Sequence, residues 1–168
     1  MQNQQIKLQE ESIHIEEMLN QLAVQSRVQL EEADMEFRLF SFVANPPIVV
    51  GEGGKLARVF ENLIQNAIRY GNDGKYLDVK LHETEKTIEI EIINYGRQAI
   101  PPLELPHIFE RFYRVEKSRS HFTGGSGLGL TISKSIIELH GGKIDAMSIP
   151  GRTVFMITLL KPVHRHNS

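Results

Sequence analysis

The sequence contains no cysteine and no long apolar run, and its charge is nearly balanced. Without cysteine the chain forms no disulfide and no thiolate metal site. No apolar stretch approaches the ~18 residues of a membrane-spanning helix, and the N-terminus lacks the layout of a signal peptide, so we expect a soluble chain. A formal net charge of −2 lacks the basic excess of a general nucleic-acid-binding protein.

Length and composition predict a single domain over residues 1–168. With 40% hydrophobic and 24% charged residues, the 168-residue chain can bury one core and is too short for two comfortable domains. No internal repeat, low-complexity tract or linker interrupts it.

Apolar periodicity predicts an α+β fold in which helices cover one face of a mixed sheet. Alternating or short apolar runs predict strands at Ile6–Glu10, Met35–Phe42, Ile48–Val50, Tyr76–Glu83, Thr87–Asn94, Lys143–Ser148 and Thr153–Leu160. Helical spacing predicts helices at Ile15–Ala33, Lys55–Tyr70 and Leu128–His140. Residues 96–126 lack sustained periodicity apart from a helical turn near Leu105–Phe109, and loops of this length are usually functional lids or disordered.

The helix predicted over Lys55–Tyr70 carries a polar seam beside its apolar face. Its apolar positions form one continuous stripe, and Asn62, Asn66 and Arg69 fall on the neighbouring stripe. Because Asn62 and Asn66 are four residues apart, they lie on one helix face and can jointly hold a hard cation through their carbonyl oxygens. On their own, paired asparagines on a helix are usually solvated surface residues.

A glycine-rich segment, Thr123–Leu130, runs into the start of the last predicted helix. Such a segment offers unblocked backbone N–H groups and the positive end of a helix dipole to an anion, as phosphate-binding loops do. A glycine cluster alone is more often a plain turn. Combined with the asparagine pair, it predicts a site for a magnesium–nucleotide complex.

Between these two features lies an aromatic and basic cluster that makes a family resemblance specific. The cluster is Pro106–Arg114, followed by Lys117 and Arg119. In this order the three features resemble the N, F and G2 boxes of the catalytic and ATP-binding domain of two-component sensor histidine kinases. A resemblance to the vancomycin-resistance sensor kinases of the VanS type is carried by Lys55–Phe60, Phe112–Arg114, Ser118–Ser120, Thr123–Gly125 and His140–Ile144.

The resemblance implies the Bergerat ATP-binding fold, a two-layer α/β sandwich, with ATP and Mg²⁺ as ligands. It implies that Asn62 and Asn66 bind metal and phosphate, the metal being held by this pair. Arg69 and Tyr70 occupy the family's positions for phosphate contact and for ring packing. The other nucleotide-contacting residues that it implies are Asn94, Gly96, Phe109, Phe112, Arg114, Gly125, Gly127, Leu128, Gly129, Leu130 and Thr153.

Two pairs of residues in the predicted lid, about 96–126, have two interpretations each. Lys117 and Arg119 are candidate partners of the γ-phosphate, or they belong to a solvated basic loop. Phe109 and Phe112 anchor the lid hydrophobically, or they belong to the ordinary core.

The residue at position 62 favours phosphoryl transfer over hydrolysis. The ATP-hydrolysing relatives of this fold carry a water-activating glutamate four residues before the second asparagine, where this chain has Asn62. A carboxamide is not a general base near neutral pH, so the γ-phosphoryl group is expected to reach a protein acceptor. Glu61 is adjacent but turned by about 100° around the helix axis, and it is either exposed or assists the acceptor from the rim.

The adenine-recognition segment departs from the family pattern. That pattern reads Asp-x-Gly-x-Gly, in which the aspartate accepts a hydrogen bond from the adenine amino group. This chain has Asn94-Tyr95-Gly96-Arg97-Gln98 instead. The side-chain oxygen of Asn94 can accept the same hydrogen bond, but it lacks the charge assistance of a carboxylate. We therefore expect weak ATP binding.

The acceptor histidine of such kinases lies on a separate dimerisation hairpin, whose His-Glu-x-x-x-Pro type of pattern this chain lacks. His82-Glu83 is its one His-Glu pair, and no proline follows it. The resemblance implies two partners, the dimerisation and histidine-phosphotransfer domain of the same sensor and a downstream response regulator. We expect the isolated chain to be monomeric, unable to phosphorylate itself, and derived from the cytoplasmic side of a membrane-anchored sensor.

Two alternatives from other functional classes remain open. An ATP hydrolase of the same fold is disfavoured by Asn62 and by the lack of the transducer domain that those ATPases use. A degenerate module that has lost its nucleotide and serves as a protein-interaction surface is suggested by the altered segment at Asn94.

Overall fold

The computed structural model describes residues 9–110 and 129–163. Its strands are β1 (Glu11–His14), β2 (Glu36–Ser41), β3 (Ile48–Gly51), β4 (Tyr76–Glu83), β5 (Thr87–Asn94), β6 (Lys143–Ile149) and β7 (Arg152–Leu160). Its α-helices are α1 (Ile15–Gln25), α2 (Arg27–Glu32), α3 (Gly53–Gly71) and α4 (Gly129–Leu139). Short 3₁₀ helices lie at Asn72–Gly74 and Leu105–His107.

Five strands form the main sheet in the order β2-β4-β5-β7-β6, and β1 and β3 form a separate two-stranded sheet. β2 runs parallel to β4, whereas the other neighbours in the main sheet are antiparallel. The pairs β4-β5 and β6-β7 are hairpins of consecutive strands. The predicted α+β class and mixed sheet are confirmed.

The hydrophobic core lies between one face of the main sheet and the helices α1, α3 and α4. Strand pairing places Val79, Ile92 and Phe155 in one row of that face, and all three are buried. The predicted apolar stripe of α3 is confirmed, and its buried members are Leu56, Val59, Phe60, Leu63, Ile64, Ala67 and Ile68. At about 1.5–3 kcal/mol for each large apolar side chain that is fully buried, this stripe holds α3 on the sheet.

The first strand does not lie where the sequence pattern predicts it. Part of the predicted strand Ile6–Glu10 lies outside the described residues, and the strand that is found there is Glu11–His14. It pairs antiparallel with β3, which sets Ile13 opposite Val49, and both side chains are buried. The pairing partner is distant in sequence, so the local pattern does not reveal it.

The single helix predicted over Ile15–Ala33 is two helices that meet at Ser26. Ser26 is buried and has a ψ of 6°, which departs from helical geometry. Its N–H still donates to the carbonyl of Leu22 at 3.0 Å, so it closes α1 before α2 begins. Serine competes for backbone hydrogen bonds and therefore favours helix ends.

His140 joins the end of α4 to the start of α3. Its Nδ1 donates to the carbonyl of Ile136 at 2.8 Å, and its Nε2 accepts from the N–H of Glu52 at 3.0 Å. These two contacts require the neutral ring with its proton on Nδ1. Gly51 lies against the same ring, so that a Cβ at position 51 would lie 2.7 Å from Nε2.

We expect Gly51→Ala to lower the free energy of unfolding by about 1–3 kcal/mol, because the added methyl displaces the His140 ring from both hydrogen bonds. Gly54→Ala is the matched control, since a Cβ there meets no atom within 4 Å. It should be neutral or stabilise by up to about 1 kcal/mol. Urea unfolding of both variants measures the difference, and equal stabilities would contradict the role assigned to His140.

Candidate functional site

The polar seam predicted on α3 is present in the structure. Asn66 is 9% exposed, Asn62 and Tyr70 are half-buried, and Arg69 is exposed near the end of the helix. Glu61 lies on the exposed face of α3, turned away from the asparagine pair. Polar side chains this close to the core require hydrogen-bond partners or a ligand.

The amide of Asn62 is oriented by the first turns of α4. Its Nδ2 donates to the carbonyl of Gly129 and to the hydroxyl of Ser133, both at 3.4 Å. A backbone carbonyl can only accept, so the nitrogen of the amide faces α4 and Oδ1 is left to accept a hydrogen bond or coordinate a cation. The two helices therefore hold one candidate metal ligand in a defined orientation.

Ser133 contacts the candidate site through Asn62, and the sequence did not single it out. It is fully buried, and it occupies a core-facing position of α4 beside Leu130 and Ile136. The sequence signal that could have revealed Ser133 is a polar residue within the otherwise apolar stripe of α4. Leu130, predicted to contact the nucleotide, has its side chain in the core, so only its backbone can serve that role.

Asn94 ends β5 and meets the C-terminus of α3. It is 7% exposed, and its Oδ1 accepts a hydrogen bond from the N–H of Gly96 at 3.1 Å. A Cβ on Gly71 would lie 2.5 Å from that of Asn94, so the helix approaches this corner as closely as glycine permits. Gly96 in turn packs against the carbonyl of Tyr70. Three residues predicted to form the site, Tyr70, Asn94 and Gly96, therefore meet at one corner.

Thr153 lies beside Asn94 because β7 pairs with β5 in this register. It is 2% exposed, and its Oγ1 is hydrogen bonded to the Oγ of Ser148 at 2.6 Å. The same Ser148 oxygen accepts the N–H of Ile100 at 2.8 Å. These bonds tie the segment that follows Asn94 to the β6-β7 hairpin, a contact that the sequence reasoning did not anticipate.

Phe109 lies in the last turn that the structure describes before residue 111, and contacts with β7 and α4 hold it there. Its ring meets that of Phe155 edge-on at 6.2 Å between centroids, and Lys134 Nζ lies 5.8 Å from the ring centroid. The hydroxyl of Thr131 donates to the Phe109 carbonyl at 3.0 Å. Phe109 is half-buried against the core. Both interpretations of this residue, a lid anchor and a core residue, are compatible with these contacts.

Seven predicted site residues lie outside the described residues. They are Phe112, Arg114, Lys117, Arg119, Gly125, Gly127 and Leu128.

An ion pair between a buried carboxylate and a partly exposed guanidinium supports the Asn94 corner from the other face of the sheet. Asp78 on β4 is 2% exposed and accepts hydrogen bonds from Arg38 Nε at 2.7 Å and Nη2 at 2.8 Å. The Tyr95 hydroxyl, on the residue after Asn94, donates to the same carboxylate at 2.6 Å. The Arg38 guanidinium also lies 3.6 Å from the ring centroid of Tyr76.

The three groups fix one another's protonation state. Burial raises the pKa of the Asp78 carboxyl, but hydrogen bonds from Arg38 and Tyr95 outweigh burial and hold that pKa below its ordinary value. The hydrogen bond to Asp78 raises the pKa of Arg38. Burial and the same carboxylate raise the pKa of the Tyr95 phenol. At neutral pH the network is a carboxylate held by a guanidinium and a neutral hydroxyl.

The chemistry of the described side chains fits a cation bound together with a phosphate ligand. Within residues 9–110 and 129–163, no group of three or more His, Asp or Glu is placed to hold a metal ion. The amide oxygens of Asn62 and Asn66 are hard ligands of the kind that Mg²⁺ accepts, and Mg²⁺ usually completes its coordination with water and substrate phosphates. In the same part of the chain, no helix is long and apolar enough to cross a bilayer.

Residues 51–163 match the family described as histidine kinase-, DNA gyrase B-, and HSP90-like ATPase. The chain is 44% identical over 111 residues to the sensor protein VanS of Enterococcus faecium, covering 66% of this chain and 28% of that protein. It is 36% identical over 159 residues to the sensor protein VanSC of Enterococcus gallinarum, covering 95% and 43%. The chain spans less than half the length of these two relatives.

Solved structures of histidine kinases have the same fold. The nucleotide-free catalytic domain of histidine kinase ThkA has a TM-score of 0.78 at 22% identity, covering 92% of this chain and 99% of that chain. The mycobacterial sensor histidine kinase MprB has a TM-score of 0.74 at 29% identity, covering 91% and 99%. A structure of ThkA in complex with the response regulator protein TrrA has a TM-score of 0.76 at 22% identity, covering 92% and 42%.

We expect Asp78→Asn to destabilise the protein near pH 7 by on the order of 1–2 kcal/mol, since it weakens the bonds to Arg38 and Tyr95. Because the pKa of Asp78 is lowered by folding, this contribution is present above the ordinary aspartate pKa and is lost as the pH falls below about 4. The difference in free energy of unfolding between the parent and Asp78→Asn should be smaller at pH 3 than at pH 7. Asp145→Asn, which changes an exposed carboxylate on β6, should match the parent at both pH values.

Proposed function

Because the chain belongs to the family of histidine kinase-, DNA gyrase B- and HSP90-like ATPases, we propose that it binds Mg-ATP and transfers the γ-phosphoryl group to a histidine on a separate dimerisation domain. That domain then passes the phosphoryl group to a response regulator. In this proposal residues 1–168 are one catalytic and ATP-binding domain, with a lid at about 96–126.

The observation that carries the proposal is the hydrogen bond from the Asn62 amide to the Gly129 carbonyl. It sets the polar seam of α3 beside the start of α4, the helix that follows the glycine-rich segment. Oxygen ligands on one side and the positive end of a helix on the other suit a cation bound to a triphosphate. Asn62 and Asn66 would hold Mg²⁺, and Arg69 would contact phosphate. When bound, Mg²⁺ neutralises charge on the β- and γ-phosphates.

The segment outside the described residues has roles in the proposal that follow from the family resemblance. Lys117 and Arg119 approach the γ-phosphate, where charge develops during phosphoryl transfer. Gly125 and Gly127 offer their backbone N–H groups to the phosphates. Phe112 and Arg114 belong to the lid, with Phe112 as a second hydrophobic anchor, and Leu128 is a further proposed nucleotide contact.

Position 62 supports kinase activity over hydrolysis. An amide cannot remove a proton from water near neutral pH, and the nitrogen of this amide is already engaged by α4. Glu61 is exposed on another face of α3, where it can assist an incoming acceptor only from the rim. The chain is therefore suited to hold ATP until a protein acceptor arrives.

The environment of His82 supports a separate acceptor. His82 stacks on Phe42 at 5.0 Å between centroids, and its Nε2 lies 3.4 Å from Glu91 Oε1. These contacts hold it at the end of β4, on the sheet face opposite α3 and Asn62. The dimerisation domain of a membrane-anchored sensor would supply the acceptor, and vancomycin-resistance signalling is the setting suggested by the VanS relatives.

We expect Asn66→Ala to lower Mg-dependent ATP affinity at least tenfold while the fold is retained, because Asn66 is proposed to bind the metal. Gln65→Ala is the matched control, since that amide faces α2 and bonds to Gln29 at 2.6 Å. Calorimetry with and without Mg²⁺ measures both affinities. Equal ATP affinity for Asn66→Ala and the parent would refute the metal assignment.

The isolated chain should acquire no phosphate from labelled ATP, but it should phosphorylate an added histidine-bearing dimerisation domain of a sensor kinase. The reason is that the residues proposed to bind phosphate accompany no acceptor pattern in this sequence. Acid-labile phosphate on the isolated chain would contradict the acceptor assignment. Release of inorganic phosphate at the same rate with and without the acceptor would favour an ATP hydrolase.

A further inference from the structure

Ser133 places a fully buried hydroxyl on a face of α4 that is otherwise apolar. The other buried side chains of that helix are Leu130, Ile136 and Ile137. A hydroxyl buried among apolar groups costs free energy unless it is hydrogen bonded, whereas alanine at the same place would bury no polar group. The hydroxyl meets the Asn62 amide, whose Nδ2 donates to Ser133 Oγ at 3.4 Å. The serine therefore serves this contact rather than the packing of the core.

The contact bears on which way the Asn62 amide faces. With Nδ2 toward α4, its two hydrogens meet the Gly129 carbonyl and the Ser133 hydroxyl, each at 3.4 Å. Rotating the amide by 180° would set Oδ1 against the Gly129 carbonyl, which has no hydrogen to donate. Gly129 thus selects the orientation, and Ser133 accepts from the same nitrogen and reinforces it.

The orientation decides whether Asn62 can be a metal ligand, because a carbonyl oxygen binds a hard cation and an NH₂ group does not. We propose that Ser133 is a positioning residue for the metal–nucleotide site and holds the Asn62 amide so that Oδ1 is available to Mg²⁺. This inference rests on the proposed function, which assigns the metal to Asn62 and Asn66. Residues that orient a metal ligand alter metal affinity without touching the metal.

Removing the hydroxyl should have a moderate effect. The Gly129 carbonyl remains in place in Ser133→Ala and still favours the same orientation of the amide. The distance of 3.4 Å is also longer than that of a well-formed N–H···O bond. We therefore expect a loss of about three- to fivefold in affinity for Mg-ATP, below the roughly tenfold that a good neutral hydrogen bond can supply.

The first measurement needs no nucleotide or metal. In the ¹⁵N-labelled protein, Ser133→Ala should shift the side-chain amide signal of Asn62 in the NMR spectrum, because this amide loses an acceptor. Ser135→Ala is the matched control, since it removes an exposed hydroxyl from the same helix and should leave that signal in place. An Asn62 amide signal that is the same in the parent and in Ser133→Ala would overturn the inference, whatever the protein binds.

The second measurement is calorimetric titration with ATP, with Mg²⁺ and again with EDTA, for the parent and both variants. We expect Ser133→Ala to bind Mg-ATP about three- to fivefold more weakly and metal-free ATP as the parent does, while Ser135→Ala matches the parent in both titrations. A purely structural role for Ser133 would weaken both affinities alike or neither, and either result would overturn the inference while leaving the proposed site intact.

Failure of the proposed function gives a different result. If the ATP affinity of the parent does not depend on Mg²⁺, the metal assignment fails and the inference fails with it. Ser133→Cys, which fills nearly the same space with a weak acceptor, serves in both measurements if Ser133→Ala folds poorly, and the same outcomes decide.

Discussion

The burial of one apolar stripe of α3 is the interaction on which the rest of the structure depends. The stripe fixes the rotation of the helix on the sheet, and with 3.6 residues per turn the seam of Asn62 and Asn66 then lies at the edge that meets α4. A half-buried amide needs partners, and Asn62 finds them at Gly129 and Ser133. Core packing and the orientation of the candidate metal ligand therefore have one cause.

The corner around Asn94 is held from both faces of the sheet. On the core face, Gly71 allows α3 to approach the side chain closely. On the other face, the hydroxyl of Tyr95 bonds to Asp78, which Arg38 neutralises. Fixed positioning of this kind is how binding sites gain selectivity and rate. The ion pair matters more for this orientation than for stability, because pairs with a solvent-accessible partner stabilise little.

Features with a local signal could be predicted from the sequence. The strands Tyr76–Glu83 and Thr87–Asn94 have the predicted bounds because alternation and a charged turn define them, and the helical spacing of α3 predicted its polar seam. The contacts of Ser133 and Asp78 could not be predicted, because each partner is distant along the chain. Ser133 meets an amide 71 residues earlier, and Asp78 meets Arg38 at a separation of 40 residues. Such pairings follow from tertiary packing rather than local propensity.

The central claim is that the polar seam of α3 binds a metal–nucleotide complex. The most direct test is to record the side-chain amide signals of the ¹⁵N-labelled protein by NMR while a purine nucleoside triphosphate is added with Mn²⁺ in place of Mg²⁺. A paramagnetic ion broadens nearby signals, so the account predicts that the amide signals of Asn62 and Asn66 disappear first and that of Gln65 persists longer. Retention of the Asn62 and Asn66 signals while other amides broaden would contradict it.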